Sequence, residues 1–165
     1  MNQSIRVAVV LVAWLCCMPS VQCQGTALEL LRQNQCICPC GNPAGGKQYF
    51  ISNKMLNWFD AVSYCNAIGM SIASVKDNLQ NSRLQQYLAQ NYRITRSAKY
   101  WIGANNLSKD RAMQWGLSGI EVTFNAWAFN EPSHTAPFCV YLDGSTMKWK
   151  SEACGEGEKL FICEY

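Results

Sequence analysis

Residues 57–75 read NWFDAVSYCNAIGMSIASV, and the rest of the chain is organised around this stretch. Asn57 is a residue type that caps helix N-termini, and apolar side chains follow at Trp58, Ala61, Val62, Cys65 and Ile68. Those offsets set one stripe of a helix against a core, with Gly69 as the stop signal. Ile72 and Val75 flank a short connection. Asp77 or Asn78 caps a second helix, which buries Leu84, Tyr87 and Leu88 and ends at Asn91. Just upstream, Gln48-Tyr49-Phe50-Ile51 has strand composition.

Beyond about residue 97 the pattern changes. Tyr100-Trp101-Ile102 reads as a buried strand followed by Gly103, and residues 105–110 are polar and loop-like. Short aromatic segments recur around Trp115, Phe124, Trp127, Val140-Tyr141-Leu142, Trp149 and Leu160-Phe161-Ile162, punctuated by Gly, Asn, Asp or Ser. Two helices followed by several short strands predict an α+β domain over residues 47–165. The preceding Gly41-Asn42-Pro43-Ala44-Gly45-Gly46 has linker composition, and residues 27–33 suggest one or two helical turns.

Residues 1–23 read as a secretory signal. Arg6 supplies the positive end, residues 7–18 are apolar but short for a membrane span, Pro19 breaks the run, and Val21-Gln22-Cys23 suits cleavage. The mature chain is therefore expected to be secreted and extracellular, with no later membrane span.

Composition narrows the function. The chain has 165 residues, a net charge of +3 and 12% aromatic residues, so it is neither disordered nor basic enough to argue for nucleic acid or an anionic membrane. His134 is its single histidine, and no nucleophile–base constellation is recognisable, so an enzyme is not expected.

Three of the ten cysteines, Cys16, Cys17 and Cys23, fall in the signal, leaving seven. An odd number in an oxidising compartment implies an intermolecular bridge, a free thiol or a different cleavage point. Cys36-Ile37-Cys38-Pro39-Cys40 is too compressed for usual zinc spacings and favours disulfides. Alternate cysteines bridge each other poorly, so at least one of Cys36, Cys38 and Cys40 is a candidate for an interchain bond. The residues 24–46 are read as a Cys-rich segment and linker. Asn106-Leu107-Ser108 is a glycosylation sequon in the polar loop.

Residues 47–165 resemble the C-type lectin family. The resemblance rests on residues 57–75, on YWIGANNL at 100–107, on Trp127 with Asn130-Glu131-Pro132-Ser133, on FCVYL at 138–142, on MKWKSEAC at 147–154 and on LFICEY at 160–165. In size and layout the chain is similar to small secreted single-domain lectins of the insect type. The resemblance implies an α+β lectin-like fold with a long loop region and two disulfides, Cys65 with Cys163 and Cys139 with Cys154. Loop-closure estimates for such bridges are roughly 4.7 and 3 kcal/mol. It also makes Trp101 a core residue; Trp58, Trp115 and Trp127 are read as packing residues as well. It further suggests a cis Glu131-Pro132 bond.

Sugar-binding members hold one calcium ion between protein and sugar. The resemblance implies that its oxygens come from a Glu-Pro-Asn-like triplet, an acid before the third cysteine and an Asn-Asp pair after a tryptophan. In this chain those positions read Glu131-Pro132-Ser133, Pro137 or Phe138, and Lys150-Ser151. Calcium wants six to eight oxygens and its affinity follows ligand charge. One carboxylate survives, opposed by one ammonium, so no metal and no cofactor are expected. Asp143 and Glu152, the nearest other acids, are expected to face solvent or cap turns. Glu131, Ser133, Lys150 and Ser151 remain as the ligand-binding candidates, with Lys150 expected to replace the ion by pairing with Glu131. The expected function is a secreted, calcium-independent carbohydrate-recognition protein. The alternative is a lectin-fold module for an extracellular protein ligand, in which a disulfide-linked homodimer adds avidity.

Overall fold

The computed structural model describes residues 47–91, 98–135 and 137–165. The signal, the 27–33 turn, the linker and the cluster of Cys36, Cys38 and Cys40 lie outside the described residues. Tyr49–Tyr165 forms one compact unit.

The 57–75 stretch folds as its pattern demands. Helix α1 spans Trp58–Ala67. Its cap is reciprocal: Asn57 Oδ1 accepts from the Asp60 amide at 2.9 Å, and Asn57 Nδ2 donates to Asp60 Oδ2 at 2.8 Å. The helix ends on Gly69, whose φ of +74° closes a left-handed turn. There the Met70 amide donates to Cys65 O and the Gly69 amide to Asn66 O, satisfying two orphan carbonyls. Trp58, Ala61, Val62 and Cys65 form the buried stripe. Helix α2 spans Asn78–Asn91; Asp77 caps it by accepting from the Gln80 amide at 2.7 Å.

The strands follow as β1 (Tyr49–Ile51), β2 (Ser71–Ile72), β3 (Lys99–Asn105), β4 (Gln114–Trp115), β5 (Ile120–Glu121), β6 (Cys139–Asp143), β7 (Lys148–Glu152) and β8 (Leu160–Glu164). β8 runs antiparallel to β1 and β2 and parallel to β3. β3 also pairs with β4 and β6, and β6 forms a hairpin with β7. The architecture is α+β, as expected from the pattern.

Disulfides join Cys65 to Cys163 and Cys139 to Cys154, with Cα separations of 5.5 and 5.0 Å. The first ties α1 to the last strand; the second joins the start of β6 to the segment just after β7. Trp58, Trp101 and Trp149 are fully buried. Trp149 receives Trp115, Phe124 and Trp127 edge-on, each at 5.8 Å between centroids. Trp127, half-buried, thus anchors the long loop to the core rather than facing a ligand. The polar 105–110 segment needs one correction. Asn105 is not loop but the buried end of β3, where its carboxamide donates to Gly103 O and Gly116 O and accepts from the Leu107 amide. A buried amide that completes its hydrogen bonds is at home in a core.

Candidate functional site

The long loop is fastened to β7 before it reaches the candidate triplet. The Ala128 amide donates to Trp149 O at 2.9 Å and the Trp149 amide donates to Ala126 O at 2.9 Å. A β-turn over residues 128–131 follows, closed by the Glu131 amide on Ala128 O at 3.2 Å. Asn130 sits third in this turn with φ +60°, a backbone state asparagine tolerates better than most residues. Phe129, second in the turn, is 93% exposed. The Glu131-Pro132 bond is cis.

This approach places the Glu131 carboxylate against β7. Oε2 accepts from the Ser133 amide at 2.9 Å, the Ser151 amide at 3.0 Å and Ser151 Oγ at 2.6 Å. Oε1 accepts from Ser133 Oγ at 3.1 Å. Ser151 Oγ in turn accepts from the Ser133 and His134 amides at 2.9 and 3.1 Å. A hydroxyl has one donor and two acceptor sites, so Ser151 is fully used. Each carboxylate oxygen has about two acceptor sites; three bonds crowd onto Oε2 and one reaches Oε1, so Oε1 keeps an open site beside the exposed Ser133 hydroxyl. Burial works to raise the Glu131 pKa. The hydrogen bonds from Ser151 and Ser133 outweigh it and hold the carboxyl below the usual glutamate range.

Lys150 does not join this cluster. Its Nζ pairs with Asp143 Oδ2 at 2.7 Å, not with Glu131. The reason is the two-residue period of a strand. Ser151 points to one face of β7, towards the long loop, so its neighbour Lys150 points to the other. There Lys150 lies opposite Tyr141 in register, with Asp143 two residues further along β6. The expected replacement of the ion by the lysine is therefore corrected: the serines fill the place opposite Glu131. Asp143 takes the second of its two expected roles: it caps the β6–β7 turn, accepting from the Ser145 amide at 2.8 Å, and it is buried there. Burial works against its charge, yet the bonds from Lys150 and Ser145 bring its pKa down to about 2. The Lys150 ammonium is pushed up, chiefly by its bond to Asp143.

Glu152, two residues from Lys150, pairs with Lys159 at 2.7 Å. No motif or spacing in the sequence singles out Lys159. It is 3% exposed and rests over the Trp101 ring at 4.2 Å and the Tyr141 ring at 4.9 Å. Burial lowers its pKa against the pull of Glu152. It braces the 152–159 turn, where a side chain on Gly157 (φ +69°) would strike Glu152 and Lys159. The sequon residue Asn106 is half-buried; its Oδ1 accepts from the Phe138 amide at 2.6 Å and its own amide donates to Phe138 O at 3.1 Å. Among the described residues, no three His, Cys, Asp or Glu side chains converge as a metal site.

The arrangement of loop, sheet and triplet can be set beside known proteins. The family model of the Lectin C-type domain matches residues 54–165. The chain belongs to the C-type lectin family. It is 29% identical over 127 residues to the C-type lectin mosGCTL-7 of Aedes aegypti, covering 73% of this chain and 85% of that one. It is 30% identical over 143 residues to a C-type lectin mannose-binding isoform of Notechis scutatus scutatus, covering 82% and 88%. Among solved structures, human lithostathine at 1.3 Å superposes with a TM-score of 0.64 at 28% identity, covering 78% of this chain and 90% of that one. The chain therefore contains a C-type lectin-like carbohydrate-recognition domain, and the long loop with Glu131 is the candidate site within it.

Proposed function

We propose that this C-type lectin is a secreted protein that recognises carbohydrate directly, without calcium, through Glu131 and Ser133, with Ser151 as their buttress. The observation that carries the reading is the Glu131 carboxylate held by four hydrogen bonds, three of them on Oε2. Calcium needs six to eight oxygen ligands at about 2.3–2.6 Å. Here two backbone N–H groups and two hydroxyls aim their hydrogens at the only carboxylate in the cluster. Those dipoles present positive ends where a cation would sit. The residues before Cys139 are Pro137 and Phe138, which bring no side-chain oxygen, and the charges of Lys150 and Asp143 cancel each other on the far face of β7. The residues present do not fit the ion.

What the cluster offers instead is a fixed acceptor, Glu131 Oε1, next to a fixed hydroxyl, Ser133 Oγ. Two adjacent sugar hydroxyls meet such a pair without metal, and the preset geometry lowers the ordering cost of binding. Lys150, on the opposite face, balances Asp143 and is left out of the contact set. The mannose-binding name of the snake relative supports a sugar as the ligand class. Secretion rests on the character of residues 1–23.

A glycan array read with and without chelator tests the proposal. Binding that persists in chelator is expected. Binding lost on chelation overturns calcium independence, and an array with no bound glycan overturns the carbohydrate reading in favour of a protein ligand.

A further inference from the structure

We infer that Phe129 is the apolar platform of the ligand site, packing its ring against the C–H face of a pyranose whose hydroxyls meet Glu131 and Ser133. This deepens the carbohydrate reading above and rests on it. Phe129 is 93% exposed, whereas the other exposed large apolar side chains among the described residues, such as Phe59 at 46% and Leu117 at 69%, keep partial cover. Phe59 meets Trp58 edge-on at 5.6 Å. Among the described residues, no such ring contact involves Phe129.

The exposed ring is not on a loose tether. Its turn is tied at Ala128 to Trp149 O and closed by the Glu131 amide, and Asn130 holds the left-handed state the turn requires. Consecutive Cα atoms are about 3.8 Å apart, so the root of Phe129 lies at most about 7.6 Å from that of Glu131. That separation is on the scale of one sugar ring. The turn therefore roots an exposed aromatic ring within the length of one sugar ring of the residue whose carboxylate meets the Ser133 hydroxyl.

A pyranose has the matching two-sided chemistry. Its axial C–H bonds form an apolar, slightly positive face suited to the negative face of an aromatic ring, while its rim is hydroxyl. Mostly apolar contact with a few placed polar groups is the usual make-up of a small-ligand site. A protein ligand would need about 800 Å² on each partner. The exposed residues next to Phe129 in sequence are Asn130, Pro132 and Ser133, so the apolar part is one aromatic ring with a proline, on the scale of a sugar residue.

The test uses the whole secreted chain in chelator, titrated by NMR with the methyl glycosides of glucose, galactose, mannose and N-acetylglucosamine. Phe129→Ala is expected to weaken every bound glycoside about tenfold, equal to about 1.4 kcal/mol. Phe129→Trp should bind at least as well as the natural protein, and Phe129→Leu should fall between. Ring protons of the bound glycoside should shift upfield with the natural protein and not with Phe129→Ala. The melting temperature should hold across the series, because the ring touches almost nothing; Phe129→Leu and Phe129→Trp keep the comparison valid if Phe129→Ala expresses poorly. Phe129→Ala binding within twofold of the natural protein, while Ser133→Ala loses affinity, overturns the platform and leaves the carbohydrate reading standing. Absence of any binding by the natural protein overturns both.

Discussion

Replacing Ser151 by alanine should unlock the long loop. The hydroxyl gives Glu131 Oε2 its shortest bond, 2.6 Å, and is the acceptor for the His134 amide at 3.1 Å. A hydrogen bond to a charged group is worth about 1.5–3 kcal/mol. The Ser133 amide keeps its bond to Glu131, so its loss is small. The His134 amide loses its side-chain acceptor near the surface, where water restores part of the cost. Together these give a loss of about 2–3 kcal/mol at pH 7, or about 10 °C in melting temperature for a domain of this size. The pH dependence sharpens the expectation. Glu131 has a folded pKa below its ordinary value of 4.5, so its stabilisation is present above that value and is lost as pH falls through the folded pKa. The gap between the natural protein and Ser151→Ala should therefore narrow below about pH 4.5 as the carboxyl protonates. Urea unfolding from pH 3 to 7 measures the gap, and carboxyl-carbon NMR follows Glu131, whose pKa should rise towards 4.5 in the variant. A loss below about 0.5 kcal/mol at pH 7 with an unmoved Glu131 pKa would refute the argument that Ser151 holds the Glu131 carboxylate.

Asp143→Asn should cost about 2 kcal/mol near neutrality, since the Asp143 pKa lies at about 2 against an ordinary 3.8; the penalty should fade between pH 4 and 2, as read by denaturant unfolding. Asn105→Leu should cost about 3 kcal/mol, because the fully buried amide leaves the Gly103 and Gly116 carbonyls and the Leu107 amide without their partner; an unchanged urea midpoint would count against that role.

Local order was legible from the chain alone. The Asn57 cap, the apolar spacing of α1 and the Gly69 stop are events within a few residues, and periodicity and capping chemistry report such events directly. The α+β class followed from the switch from helical stripes to short aromatic strands, and family resemblance supplied the pairing of Cys65 with Cys163 and of Cys139 with Cys154. At the positions where the family resemblance implies acidic ligands, the sequence holds Pro137 or Phe138 and Lys150-Ser151, and a carboxylate missing from the chain is missing in any conformation.

Which groups fill that place was decided only by the folded arrangement. In the linear chain Lys150 and Ser151 are adjacent and equally near in spirit to Glu131. On β7 they point to opposite faces, so the neutral serine reaches Glu131 and the charged lysine goes to Asp143. Lys159 and Phe129 make the same point in opposite senses. Lys159 is buried over two aromatic rings, whereas Phe129 stands in water. Composition records which side chains exist; the direction each one takes depends on strand faces and turns that bring residues distant in sequence together.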